Sequence, residues 1–377
     1  MVEPSIIGAG MVRFGRYPET TAADLAAEAS LAAITDAGLD LGEIGALYCG
    51  HVAQGMTFAQ TVASTLGVAG IPAANFENAC ASSATAFHFA CLSVMAGQYD
   101  AVLVCGAEKM ARGLLPLTEL MECDLEALLG MTIPSLSALH ASRYAARFEL
   151  CSDDLAAVVV MNRRNAAANP FAQYQATVSV DEVLRSPMIS TPLTRLMCCP
   201  TSDGAAAVVV VGPAMARRHS HDAVRVLASH IEGGSPIGAA ERANATARAA
   251  RHAYERAGIG PQDIDLVEGL NYTAMAEILL YEDLGFCALG GGVAMLRNGE
   301  TALDGRVAFS PGGGLIGRGH PLGATGVAQL VETTWQLRGF AGGRQVPNAR
   351  VGLTHAAGGV ITGIDDEAVV VVHVLGR

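Results

Sequence analysis

Two stretches of this chain, 220 residues apart, repeat the same succession of local signals, and that duplication limits the folds open to it. The first reads Asp36-Ala37-Gly38-Leu39-Asp40-Leu41-Gly42-Glu43-Ile44; the second reads Arg256-Ala257-Gly258-Ile259-Gly260-Pro261-Gln262-Asp263-Ile264. Each follows an Ala-rich helical stretch, Ala22 to Ala33 or Ala243 to Tyr254, and each leads into an apolar strand, Ala46 to Cys49 or Leu266 to Gly269. Gly38 and Gly258 suit the residue just past a helix, where a left-handed backbone closes the last turn without a Cβ penalty. Downstream, Cys80 to Ala86 lines up with His320 to Gly326 at an offset of 240, and Ala101 to Ala107 with Val351 to Ala357 at 250. Two copies of an α/β unit account for this pattern; a solenoid needs more repeats.

The region between the copies differs, being richer in Met, Pro, Arg and Tyr. The expected partition is a first half over 1–110, an inserted loop domain over 111–200, a last strand of the first half with a linker over 201–221, and a second half over 222–377. The insertion holds helices around Ser137 to Phe148 and Asp153 to Ala168 and is expected to cap the first copy. Ala205 to Val211 reads as a buried strand. Of the residues, 51% are hydrophobic but only 5% aromatic, with 43 glycines. Such a chain packs backbone close to backbone around buried strands.

No apolar run approaches the ~20 residues of a membrane span. The N-terminus lacks a basic region and enters a strand at Ser5-Ile6-Ile7-Gly8, so no secretory signal is expected. Nine cysteines with no Cys-x-x-Cys pair read as reduced thiols of a cytoplasmic protein, with no metal site expected. Twenty-four basic against 36 acidic residues give a net charge of -12, which argues against nucleic acid as a partner. An anionic small molecule then needs a local basic patch. Arg143, Arg147, Arg163 and Arg164 offer one, unless they are solvated helix faces.

Cys80, in Phe76-Glu77-Asn78-Ala79-Cys80-Ala81-Ser82-Ser83, stands at the start of a helix of small residues. The partial positive charge there lowers a thiol pKa and favours a nucleophile; a small buried apolar residue is the plainer reading. His320 occupies the corresponding place in the second copy, wedged in Gly317-Arg318-Gly319-His320-Pro321, with Pro321 suited to a first helical position. If the copies pack about a pseudo-twofold axis, the two helix starts bring imidazole near thiol. His355 ends a strand before Ala356-Ala357-Gly358-Gly359, whose N–H groups can face an oxyanion, or else it is a hydrogen-bonded core histidine.

These segments resemble the thiolase family, in its sterol-carrier-protein-2-like (nonspecific lipid-transfer) branch, over nearly the whole chain. The resemblance rests on Glu77-Asn78-Ala79-Cys80-Ala81-Ser82, Gly106-Ala107-Glu108-Lys109-Met110, Pro200-Thr201-Ser202-Asp203-Gly204-Ala205-Ala206 and Gly319-His320-Pro321-Leu322-Gly323-Ala324-Thr325-Gly326. It implies an α/β fold of two similar βαβαβαββ halves in a five-layer αβαβα sandwich, with an inserted loop domain. It implies a homodimer, a coenzyme A thioester as substrate, and no permanently bound cofactor. By this likeness Cys80 becomes acylated while His320 takes its proton and then stabilises an enolate oxygen. The N–H groups of Cys80 and of the turn from His355 to Gly358 bind the oxyanion, and His355 stands where ordinary thiolases keep a second cysteine. No sterol-carrier domain is expected after Arg377.

The chain departs from the branch at Leu270-Asn271-Tyr272-Thr273, where many members have His-Asp-Ala-Phe or His-Asp-Cys-Phe. Leu270 cannot hold an enolate oxygen; Asn271 can if the chain shifts by one residue. His51, just past a strand, and His140, in the insertion, are candidate pocket residues, while His88 is read as packing. The expected activity is an acyl-CoA C-acyltransferase, with a small zinc-ribbon/OB-fold protein as a possible partner. The alternatives are a partner-dependent retro-aldolase on a CoA-bound side chain and a non-catalytic acyl-CoA or lipid-binding homologue.

Overall fold

The local signals that announce the duplication form as the sequence dictates. Gly38 and Gly258 end their helices in the left-handed region, at φ 67° and 69°. Thr21 and Asn244 cap the same two helices at their starts, each accepting a hydrogen bond from the backbone three residues on. In this computed structural model residues 3–110, 124–219, 222–236, 244–361 and 367–377 are described.

The first half runs β1 (Ser5–Met11), α1 (Ala22–Ala37), β2 (Ala46–Gly50), α2 (Phe58–Leu66), β3 (Ala73–Phe76), α3 (Ser82–Met95), β4 (Ala101–Glu108) and, after the insertion, β5 (Gly204–Val211). The insertion contributes α4 (Leu125–Leu128), α5 (Ile133–Ala145), α6 (Ser152–Ala167), α7 (Val180–Arg185) and a short hairpin, Met188–Ser190 with Leu193–Thr194. After α8 (Pro213–His219), the second half runs β6 (Val224–Gly233), α9 (Ala245–Ala257), β7 (Leu266–Glu268), α10 (Ala274–Asp283), α11 (Gly292–Arg297), β8 (Ala308–Phe309), α12 (Gly314–Arg318), α13 (Thr325–Arg338), β9 (Val351–Gly358) and β10 (Val369–Gly376).

The strand order is β8-β7-β9-β10-β6-β1-β5-β4-β2-β3. Read outward from the middle, each half has the same order. In each, two antiparallel strands (β1, β5 and β6, β10) are followed by three parallel ones (β4, β2, β3 and β9, β7, β8). The halves join where Ser5 and Ile6 of β1 pair with Arg225 and Val224 of β6. Helices α3 and α13 lie between the halves of the sheet. Helix α13 packs on β9 of its own half and on β5, β1 and β4 of the other, so nearly all its residues are buried. Helices α1 and α2 cover the outside of the first half, and α9 covers β6 and β10 of the second. The result is the αβαβα layering of the thiolase fold.

Two expectations change. Pro321 opens a 3-10 turn, Leu322–Ala324, and the α-helix begins only at Thr325. Among the described residues the apolar core of the insertion lies on the second half, where residues of α5 and α6 share one cluster with α9, α10 and β9, while its contact with the first half includes the Phe171 and Ala172 carbonyls, which accept from Phe14 N and Arg13 Nε. The contact with the second half is made by Gly313, where a Cβ would lie 2.5 Å from that of Ala166 on α6. Asn165 and Asn169 donate to the Ser310 and Gly312 carbonyls, holding the Gly-rich loop from the insertion side.

Candidate active site

Cys80 lies in a tight loop before α3. Ala79 has φ 48°, a left-handed conformation that costs a non-glycine residue about 1 kcal/mol or more. The loop is tied down by its neighbours: the Ser82 hydroxyl accepts from Asn78 N at 3.0 Å and donates to the Ala79 carbonyl at 2.6 Å, and Asn78 donates to Thr85 Oγ1. Cys80 keeps some accessible surface. Its thiol is not acidic: burial pushes it up to about 12, and the carboxylates of Glu108 and then Glu77 add to the effect. The expected lowering by the helix start is therefore overturned, since desolvation of a thiolate outweighs a partial dipole charge.

Glu108, at the end of β4, binds the two halves together. It accepts from Val52 N, Ala53 N and the Gln54 amide in the first half and from Gly323 N in the second. A second tie runs from Val327 N of α13 to Ser83 Oγ of α3, at 3.0 Å. The two helix starts thus converge as the duplication predicts, carrying the Cys80 and His320 loops with them.

His320 is 6% exposed. Its backbone N–H donates to Ser202 Oγ, and Thr201 pairs with it as an isolated bridge. Ring Nδ1 lies 2.7 Å from Thr325 Oγ1, whose own proton goes to the Pro321 carbonyl. Thr325 must therefore accept, which puts the imidazole proton on Nδ1 and leaves a lone pair on Nε2. Nε2 makes no hydrogen bond to a described residue. Burial, then the Arg318 guanidinium, pull the ring pKa down to about 3, so it is neutral at physiological pH. No hydrogen bond joins the ring to Cys80; thiol and base rest as two neutral groups on converging loops.

Arg318 is wholly buried. It pairs with Glu268 at 2.9 Å, while its Nε and Nη2 have no partner among the described residues. Burial pushes the Glu268 carboxyl up to about 7 against the pull of Arg318. Alongside, Glu332 takes a two-pronged contact from Arg344, both bonds at 2.9 Å.

Tyr272 and Cys199 are neighbours of Cys80 that sequence reasoning missed. Cys199 N donates to the Tyr272 carbonyl at 2.9 Å, and Cys198 pairs with Thr273. Burial raises the Cys199 thiol and the Tyr272 phenol, and Cys80 adds to both shifts, so the three lie within electrostatic reach. The only hint in the sequence was Tyr272 within the departed motif.

The other candidates fall elsewhere. His355 shares a strand face with Leu353 and Ala357, which join the outer core of the second half, whereas Ala356 on the opposite face packs against Ala81 and Ala84. Its Nδ1 accepts from Leu270 N at 3.5 Å, so Nε2–H donates to Thr246 Oγ1 at 3.0 Å. Both ring nitrogens are spent, which makes it a hydrogen-bonded core histidine with burial lowering its pKa to about 4. Asn271 is likewise consumed. Its amide donates within a buried cluster of Asn162, Glu277 and Ser310, and its oxygen accepts from Leu315 N. No N–H remains for an oxyanion.

Gly358 stands against the nucleophile loop, where a Cβ would be 2.1 Å from the Asn78 carbonyl oxygen. His51 is buried edge-on to Phe58 with Nε2 at 3.2 Å from Asn75 Oδ1, so it is neither a surface loop nor a wall of the cavity described below. His140 is half-buried on α5, its pKa lowered by burial and by Arg143, and lines no part of that cavity. His88 packs with Nδ1 on Ser229 Oγ.

A cavity of about 920 Å³ opens beside this region, lined among others by Arg13, Arg16, Arg163, Arg195, Cys199 and Thr201. Cys199 and Thr201 relay it to Cys80 and His320, which do not line it themselves. Four guanidiniums around one cavity oppose the overall charge of -12. Arg163 stacks on Tyr174 at 4.4 Å and donates to the Ala176 carbonyl, while the side chains of Arg16 and Arg195 have no hydrogen-bond or ion-pair partner among the described residues. Of the basic residues singled out in the sequence, only Arg163 lines the cavity.

Residues 5–213 match the family model for the thiolase N-terminal domain, and residues 239–373 the model for the thiolase C-terminal domain-like unit. The chain is 39% identical over 372 residues to an acetyl-CoA acetyltransferase of Methanothermobacter thermautotrophicus, covering 95% of this chain and 97% of that one. It is 35% identical over 383 residues to sterol carrier protein 2 of Oryctolagus cuniculus, covering 94% of this chain and 69% of that one. The solved Ltp2-ChsH2(DUF35) aldolase shares the fold at a TM-score of 0.85 over 100% of this chain and 98% of that one, with 24% identity. Fold and relatives together define an acyltransferase. The chain belongs to the thiolase family, in its sterol-carrier-protein-2-like branch.

Proposed function

We propose that this enzyme forms or cleaves a carbon–carbon bond next to a coenzyme A thioester through an acyl-enzyme on Cys80. The observation that carries this reading is the pairing of a reachable thiol with an imidazole whose free lone pair, on Nε2, arrives from the other half of the duplication. Cys80 Sγ attacks the thioester carbonyl, and His320 Nε2 takes the thiol proton. The carbon–sulfur bond to coenzyme A breaks, and the imidazolium returns the proton to the departing thiolate. In the cleavage direction a β-ketoacyl thioester is the acyl donor, the bond that breaks is carbon–carbon, and the proton goes to the leaving carbon. With Cys80 at about 12 and His320 at about 3, no ion pair exists at rest.

Arg13, Arg16, Arg163 and Arg195 are the proposed hold for the phosphates of coenzyme A, supported by two guanidiniums without a partner among the described residues. The apolar stripe Phe89, Leu92 and Met95 on α3, beside the edge strand β3, fits a second copy as a homodimer contact. Retro-aldol cleavage is the second reading, favoured by the Tyr272 phenol beside a thiol that is hard to ionise. In that case a small zinc-ribbon/OB-fold component completes the enzyme, in keeping with the shared fold of the Ltp2-ChsH2(DUF35) aldolase. No described helix is long and apolar enough to cross a membrane, and the proposed setting is the cytoplasm.

Intact mass after incubation with acetyl-CoA and with a longer thioester separates the readings. A single acyl adduct that disappears in Cys80→Ser supports acyl transfer. Absence of an adduct with every thioester overturns it.

A further inference from the structure

Outside the catalytic region, the seam between β6 and α9 gathers three metal-ligating atoms. His230 and Glu232 are two residues apart on β6 and therefore project from one face of the sheet, and α9 lays His252 over that face. His230 Nε2 is 3.1 Å from Glu232 Oε2; His252 Nδ1 is 3.2 Å from each of them. The three atoms form a nearly equilateral triangle.

Protons alone do not satisfy this triangle. Each neutral imidazole has one N–H, so if both donate to the carboxylate, two N–H groups face each other at 3.2 Å. If instead one imidazole donates to the other, a ring nitrogen or the carboxylate faces a lone pair on the remaining edge. A cation inside the triangle satisfies all three lone pairs at once.

We propose that His230, Glu232 and His252 form a binding site for a divalent first-row transition metal, with Zn²⁺ the foremost candidate. Two imidazoles and one carboxylate match the ligand preference of such ions and not of Mg²⁺ or Ca²⁺, which take oxygen ligands. An ion about 1 Å above the plane of the three atoms stands about 2.1 Å from each, the usual length for Zn–N and Zn–O bonds. Arg248 Nε holds the other carboxylate oxygen, Oε1, at 3.3 Å and anchors its own Nη2 on the Gly233 carbonyl, so the ligand oxygen is oriented from behind. Arg256, on the same helix as His252, lies within electrostatic reach of His230. The His252 side chain is 37% exposed, which leaves the remaining coordination positions open to water or to a small ligand. The positive charges of Arg248 and Arg256 weaken attraction for a dication, so affinity rests on the two imidazoles. This site is independent of the acyl-transfer reading and ties a strand of the sheet to the helix covering it.

The test uses the full chain, stripped with chelator and dialysed, then titrated with Zn²⁺ and, separately, Co²⁺. Wild type is expected to retain one equivalent of Zn²⁺ after dialysis, to melt at a higher temperature with it, and to give a Co²⁺ spectrum without sulfur-to-metal charge transfer. His252→Ala, at a partly exposed position, and Glu232→Gln are each expected to lose the retained equivalent and the thermal shift while melting cooperatively. Two outcomes overturn the proposal: wild type that retains no metal, or retained metal whose Co²⁺ spectrum shows thiolate bonds and persists in both variants.

Discussion

Gly358→Ala is the sharpest probe of how the two halves build one site. A Cβ at this position would stand 2.1 Å from the carbonyl oxygen of Asn78, two residues before the nucleophile. Ordinary contact lies near 3.5 Å, so strand and loop must part by more than about 1 Å. The obstacle is backbone, and Ser82 and Thr85 pin Asn78 in place, so no side-chain rotation relieves it. The overpacking cost is about 1–3 kcal/mol of stability. A nucleophile displaced by about 1 Å loses on the order of 10²-fold in rate. Gly352→Ala is the matched control: it lies on the same face of β9, and its Cβ would meet Thr333 Cγ2 at 2.5 Å, far from the loop. Chemical denaturation and single-turnover acylation are to be measured on both. Similar stability losses with acylation impaired only in Gly358→Ala are expected; equal acylation rates in the two variants would refute the packing argument.

Arg16→Gln and Arg195→Gln should each raise KM for a CoA thioester by about tenfold, the worth of one charge-assisted hydrogen bond. Their kcat should be unchanged, and KM should become less salt-dependent. Alkylation of Cys80 by iodoacetamide should climb about tenfold per pH unit from 7 through 9 without a plateau. The sign follows from burial: with its pKa raised, the thiolate fraction keeps growing until the pH reaches about 12. A plateau near neutrality would show a thiolate stabilised by its surroundings. Arg318→Met should destabilise the fold by about 3–5 kcal/mol by leaving Glu268 buried and unpaired, while Arg318→Met with Glu268→Leu should recover most of that loss in the same denaturation assay.

The duplication, the helix ends at Gly38 and Gly258, and the convergence of the two helix starts were legible because each rests on local chemistry repeated in order. What escaped the sequence depends on partners distant along the chain. Whether His355 is reactive is decided by Leu270 N and Thr246 Oγ1, 85 and 109 residues away. Asn271 looked available because Asn162 and Ser310, 109 and 39 residues away, join the nearby Glu277 in consuming its amide. The acidity expected of Cys80 considered the helix start and not the enclosure around it. The cavity arginines come from the end of β1, the insertion and the segment before β5, so no single stretch of sequence displays them together. His230, Glu232 and His252 likewise meet only when α9 settles on β6.

Rapid-quench measurement of acylation in His320→Ala, with folding checked by its melting transition, bears most directly on the shared thiol–imidazole site. Removal of the proton acceptor should slow the appearance of acylated Cys80 by about 10²–10⁴-fold with thioester binding retained. His320→Ala acylating Cys80 as fast as wild type would contradict the account.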